Sequence, residues 1–131
     1  MKKKKLLDSF AVLAYLKKEK GHEKVKRLLL SDDVALIMND INIGETYYIL
    51  ARERGLQMAE YFINVIFPSL HVTSLTNSLN EVLEAAKIKS RHSMSYADCF
   101  AAATAIREKA IIVTGDPEFK QLGKEVEIEW I

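Results

Sequence analysis

Two apolar runs, Val34 to Met38 and Ile111 to Val113, constrain the fold of this chain more than any other feature. Each has the length of a strand and neither alternates with polar residues, which is the pattern of a strand covered on both faces. Around them the apolar residues recur at helical spacing. Leu6-Leu7, with the lysines before it, reads as a first strand, and Asp8-Ser9 opens a helix over Phe10, Leu13, Ala14 and Leu16. Gly21 restarts a helix on Val25, Leu28 and Leu29, and after Asn39-Asp40 a helix is expected from Ile41 to Arg54. Gly55 breaks it; a second helix runs from Leu56 to Phe67 and is stopped by Pro68. His71-Val72-Thr73 is a weak strand, and Leu75, Leu79, Val82, Leu83 and Ala86 share one helical face. A further helix begins at Ser95 with Phe100 and a run of alanines, and Val126 to Ile128 is a last edge strand. Strands alternating with helices imply an α/β fold with a parallel sheet and right-handed crossovers.

Length and composition narrow the class. A chain of 131 residues is expected to form one domain over residues 1–131, and to bury roughly 65 to 70% of its unfolded surface in one core. The single cysteine, Cys99, lies in an alanine-rich run and reads as a small buried apolar side chain. With no bridge to form, the expected residence is cytoplasmic. His22, His71 and His92 are scattered without the spacing of zinc ligands. Lys2 to Lys5 before Leu6-Leu7 imitates the start of a secretory signal, but Asp8 interrupts it and no cleavage pattern follows. Nor does any run approach the roughly 20 apolar residues of a membrane span. Nineteen basic residues against eighteen acidic ones leave a net charge of +1, so overall charge offers no argument for nucleic acid.

Four acids stand apart. Asp8, Glu45, Asp98 and Asp116 each sit among apolar or small neighbours, where a carboxylate must be desolvated, capped or bound to a cation. Asp8 and Asp116 follow strands, which puts both at the carboxyl edge of the sheet, and Glu45 lies in the first turns of a helix leaving that edge. The helix from Ser95 feeds the strand at Ile111 and spans roughly 20 Å at about 1.5 Å per residue. It therefore begins at the carboxyl edge and brings Asp98 there, into the crevice where open α/β sheets bind ligands. Each acid alone has an ordinary reading as part of a helix cap: Asp8 or Ser9, Asn42-x-x-Glu45, Ser95-x-x-Asp98, and Asp116 before Pro117. Four acidic caps at one edge repel one another unless a counter-charge is present, and the four motifs supply no Lys or Arg. Mg²⁺ or Mn²⁺ is the economical answer. Held by carboxylates with open positions, such an ion equips a site to hydrolyse a phosphodiester. A phosphoaspartate chemistry would want a second acid beside Asp8, where Ser9 and Phe10 stand, and no glycine-rich phosphate loop follows Leu7.

Taken together, Leu7-Asp8-Ser9-Phe10-Ala11, Asn42-x-Gly44-Glu45, Ser95 to Ala103 and Val113 to Phe119 resemble the four acidic motifs of PIN-domain ribonucleases, most of all the VapC-type toxins of prokaryotic toxin–antitoxin pairs. Ser9-Phe10 stands where many members carry Thr-Asn. The resemblance implies a PIN-like three-layer fold, a parallel sheet in the order 3-2-1-4-5 with helices on both faces. It implies Mg²⁺- or Mn²⁺-dependent endonucleolytic cleavage of RNA, homodimerisation and inhibition by a cognate antitoxin. Asp8, Glu45, Asp98 and Asp116 would then be metal ligands or water-positioning groups, with Asp8 and Asp98 the direct ligands and Ser9 and Thr114 supporting hydroxyls. Asp40 and Glu118 read as a cap and a surface residue. Two alternatives remain: a PIN-like binding module that does not cleave, and a PIN nuclease of RNA maturation. Finally, the helices from Ile41 to Phe67 are too apolar for one buried face. They are expected to form a partner surface with Tyr47, Tyr48, Tyr61 and Phe62 as anchors.

Overall fold

The computed structural model describes residues 2–131. Five strands, β1 (Lys3–Leu7), β2 (Val34–Asn39), β3 (Val72–Leu75), β4 (Ile111–Thr114) and β5 (Ile128–Trp130), form one sheet in the order β3-β2-β1-β4-β5. Every pairing is parallel. The helices are α1 (Ser9–Lys17), α2 (His22–Leu30), α3 (Asp40–Arg54), α4 (Leu56–Tyr61), α5 (Phe67–Ser69), α6 (Leu79–Arg91) and α7 (Tyr96–Glu108). A π-helical turn, Phe62–Ile66, joins α4 to α5, and a 3₁₀ turn, Pro117–Leu122, follows β4.

Two cores lie on the two faces of this sheet, and the period of two along each strand divides its side chains between them. Leu6, Ile37 and Ile112 pack with Ala85, Ile88, Cys99 and the alanines of α7. Their neighbours Leu7, Leu36, Met38 and Val113 pack with α1, α2, α3 and Phe62. That division is why the central runs are apolar throughout. Cys99 is fully buried in this core, as expected. No helix among the described residues is long and apolar enough to cross a membrane.

The topology delivers the acids to one edge. β1 and β4 are neighbours, with Leu7 level with Val113, so Asp8 and the segment after Thr114 emerge side by side. Lys109 adopts a left-handed conformation and its N–H caps the carbonyls of Ala105 and Ile106, which ends α7 and leaves Ala110 to lead directly into β4. With that end of α7 at the amino edge of β4, its first turn lies at the carboxyl edge.

Local readings differ in four places. The helix after Gly55 does not stop at Pro68, which sits within the first positions of α5, where its missing N–H costs nothing. The last strand is Ile128–Trp130 rather than Val126 to Ile128, because Ile128 pairs with Ile112. In α6 the buried residues are Ala85 and Ile88, whereas Leu79 and Leu83 face water. Phe10 does not join the core and is 43% exposed.

Candidate active site

The site begins with helix capping. Asp8 is the N-cap of α1, its Oδ1 accepting from the Ala11 N–H at 2.9 Å. Ser95 caps α7 by accepting from the Asp98 N–H at 3.2 Å, and Asp116 caps the 3₁₀ turn by accepting from the Glu118 N–H at 2.9 Å. Those ordinary readings hold for three motifs. They fail for Asn42: α3 is capped by Asn39, whose Oδ1 accepts from the Ile41 N–H, and Asp40 is the exposed first residue of the helix. Asn42 lies fully buried and donates its Nδ2–H to the carbonyl of Ala97 at 3.0 Å, tying α3 to the residue before Asp98. Its Oδ1 has no hydrogen-bond partner among the described residues.

Hydrogen bonds link the caps into one network. Thr114 donates its hydroxyl hydrogen to Asp8 Oδ2 and accepts from the Asp116 N–H at 3.0 Å. Glu118 Oε1 accepts from the Ser95 N–H at 3.1 Å. Ser9 donates to Glu45 Oε1. Thus Ser9 and Thr114, expected as supporting hydroxyls, each hold one of the four acids.

Carboxylate oxygens of Asp98, Asp116 and Glu118 all lie within 4.8 Å of one another. They open into a crevice of about 410 Å³ that Glu45, Ser9, Ser95, Phe10, Leu13 and Ile49 also line. Asp8 is 1% exposed and lies behind this surface. Both its oxygens already accept a hydrogen bond, and each keeps a second lone pair. Glu118 is the residue that sequence reasoning placed on the surface; it is half-buried and belongs to the cluster. The turn begun by Asp116-Pro117 brings Glu118 back beside Asp116 through the Glu118 N–H to Asp116 Oδ1 bond, and that capping pattern was its available signal.

Electrostatics set this cluster apart. Burial, then crowding by the carboxylates of Asp116 and Glu118, pushes the Asp98 carboxyl up to about 9. Burial also pushes Asp8 up to about 7, against the lowering effect of its bonds from Thr114 and Ala11. None of the ion pairs among the described residues involves Asp8, Glu45, Asp98, Asp116 or Glu118. Without a cation, Asp98 and Asp8 hold their protons more tightly than an ordinary carboxyl.

The PIN domain family model matches residues 5–125, nearly the whole chain. This chain belongs to the PIN-domain family. No curated protein matches it in sequence. Among solved structures, the PIN fold here is similar to VapC20 of Mycobacterium tuberculosis, a sarcin-ricin loop cleaving toxin. The identity is 18%, with 91% of this chain and 95% of that one covered and a TM-score of 0.75. It is also similar to VapBC2 from Rickettsia felis bound to a DNA fragment from their promoter, at 17% identity, 98% coverage of both chains and a TM-score of 0.72. A toxin–antitoxin complex from Klebsiella pneumoniae is 12% identical, with 95% and 94% coverage and a TM-score of 0.66.

The expected partner anchors divide. Phe62 is fully buried against Phe67 and the core, on the helical face it shares with buried Ala59 three residues earlier; it is not a surface residue. Tyr47 is half-buried and donates its hydroxyl to Glu60. Tyr48 and Tyr61 are 47% and 52% exposed, with Leu56, Met58 and Val65 also exposed on this hairpin.

A PIN site of this kind makes stability depend on pH in a defined direction. Asp98 and Asp8 have native pKa values raised above the unfolded ones, so their contribution is complete below about pH 4. It is lost as pH rises through about 7 and then about 9. The slope approaches about 1.4 kcal/mol per pH unit for each proton held only by the native state. Urea unfolding in EDTA at pH 5 and pH 9 is expected to show this fall, and Asp98→Asn to flatten it. A wild type no more pH-sensitive than Asp98→Asn contradicts the clustering.

Proposed function

We propose that this PIN domain is a Mg²⁺- or Mn²⁺-dependent endoribonuclease and the toxin of a toxin–antitoxin pair. The observation that carries the proposal is the convergence of Asp98, Asp116 and Glu118 on one crevice with no basic partner. An all-oxygen, all-anionic donor set suits a hard divalent cation and suits nothing softer. Asp98 and Asp116, joined by Glu118, would hold the ion, with Asp8 and Glu45 completing the acidic set. Once bound, the ion supplies Lewis-acid polarisation of a phosphodiester oxygen and of water.

The chain's own residues do the rest. Glu45, with Oε1 occupied by Ser9, keeps its other oxygen to orient water and accept its proton. Asp8 fixes the Thr114 hydroxyl, and Thr114 in turn fixes the backbone N–H of Asp116. The ends of β1 and β4 are thereby locked together beneath the crevice. Asn42 holds the Ala97 carbonyl and so the first turn of α7, from which Asp98 projects.

The toxin half of the proposal draws on the neighbours, among them a toxin–antitoxin complex and a sarcin-ricin loop cleaving toxin. A cognate antitoxin is the proposed partner, together with a second copy of the chain as a homodimer. Tyr48 and Tyr61 on the exposed side of the α3–α4 hairpin are the proposed anchors.

Cleavage of single-stranded RNA is expected with Mg²⁺ or Mn²⁺ and not in EDTA. Asp98→Asn should abolish it, while Ser9→Ala or Thr114→Val should cost about 10- to 100-fold, as loss of a supporting hydrogen bond does at metal sites. Undiminished cleavage in EDTA or in Asp98→Asn rules out this mechanism. For the partner surface, Tyr61→Glu should shift the sedimentation of the purified chain toward monomer or weaken antitoxin binding. If neither changes, the hairpin is not the interface.

A further inference from the structure

Phe10 is an anomaly of this site. It follows Ser9 in the first turn of α1, is 43% exposed, and lines the same crevice as Asp98, Asp116 and Glu118. Nearly half of this aromatic side chain is left in water at the mouth of an acidic crevice, outside the two cores of the fold. Leu13 and Ile49 extend the apolar lining beside it.

Its position is nevertheless defined. The ring lies against the backbone of Gly115, between Thr114 and Asp116: a Cβ on that glycine would come within 2.4 Å of Phe10 Cε1, 2.9 Å of Cζ and 3.0 Å of Cδ1. Gly115 is not among the residues with positive φ, so its backbone conformation does not call for glycine. What the missing side chain provides is room for the ring. One side of Phe10 is therefore seated on the acidic loop and the remainder faces the crevice.

We propose that Phe10 is a stacking platform for a nucleobase of the single-stranded substrate next to the phosphate handled by the acids; this rests on the nuclease reading above. The chemistry divides along the crevice as a nucleotide does. The carboxylates would hold the cation that serves the phosphate, and a base would meet the apolar wall of Phe10, Leu13 and Ile49. Every base has a π-face, so such a platform contributes affinity without sequence selectivity.

Two assays on the full chain test this. In the first, wild type cleaves a fluorogenic single-stranded oligoribonucleotide in Mn²⁺. In the second, the Asp98→Asn chain binds a 2-aminopurine-labelled oligoribonucleotide, whose fluorescence reports stacking directly. Phe10→Leu keeps apolar bulk but removes the π-face, and should raise KM and the binding Kd by about five- to a hundredfold, the usual loss of one aromatic–base stack. Phe10→Tyr and Phe10→Trp should restore both. Gly115→Ala should push the ring aside and resemble Phe10→Leu, with the double variant little worse than either single one, because both remove the same contact.

Equal binding by Phe10→Leu and wild-type Phe10, or equal loss in Phe10→Leu and Phe10→Trp, overturns the platform and leaves the nuclease reading intact. A wild type that does not cleave in Mn²⁺ overturns the nuclease reading instead, and the binding assay still decides Phe10. Absence of any oligonucleotide binding overturns the platform, since a crevice that meets only an antitoxin segment has no base to stack.

Discussion

Like charge brought together out of water is the constraint on which this structure depends. Asp8 and Asp98 are almost wholly buried, and Asp116 and Glu118 are half-buried beside Asp98. None has a basic partner among the described residues. A fold gains nothing in stability from such an arrangement, because each carboxylate loses hydration and repels the others. The cost is kept tolerable by neutralisation, in the raised pKa values of Asp8 and Asp98, and by the backbone N–H groups of Ala11, Ser95 and Glu118, which donate to Asp8, Glu118 and Asp116. Helix capping and charge clustering are thus one device: the caps hold the acids where a cation can replace their protons.

The sheet makes that convergence possible. In the order β3-β2-β1-β4-β5, the neighbouring strands β1 and β4 leave the same edge, and Thr114 bridges them by donating to Asp8 while accepting from Asp116. From the other side, a buried polar set ties α3 and α7 to the end of β2. Asn39 donates to Thr104 at 2.8 Å and to Asn77 at 2.7 Å, and Asn42 donates to Ala97. Buried hydrogen bonds of this kind are intolerant of displacement, which holds the crevice to one geometry.

Much of this was legible in the residues. Runs such as Val34 to Met38 declared strands buried on both faces, and the helix leading into Ile111 placed Asp98 at the correct edge. The PIN-domain resemblance supplied the strand order. What escaped was whatever depends on packing across elements. Asn39 and Asn42 are both plausible caps three residues apart, and only the burial of Asn42 against α7 separates them. Leu79 and Leu83 obey a helical period but face water, because α6 meets α7 through Ala85 and Ile88. The hairpin is apolar on nearly every side, so its sequence does not say which residues are covered, and only packing beside Ala59 against the core separates buried Phe62 from exposed Tyr61. Glu118 reads as polar surface until the turn after Asp116 folds it back, and Phe10 reads as core until Gly115 is seen to seat it outside.

The central claim is that these acids form a cation site, and calorimetric titration of the metal-free chain with Mn²⁺ near neutral pH tests it most directly. The account predicts one saturable class of binding accompanied by release of protons to the buffer, as the ion displaces those held by the buried carboxyls. Both the binding and the proton release should disappear in Asp98→Asn. Absence of saturable binding, or binding that is unaltered in Asp98→Asn and releases no protons, would contradict the account.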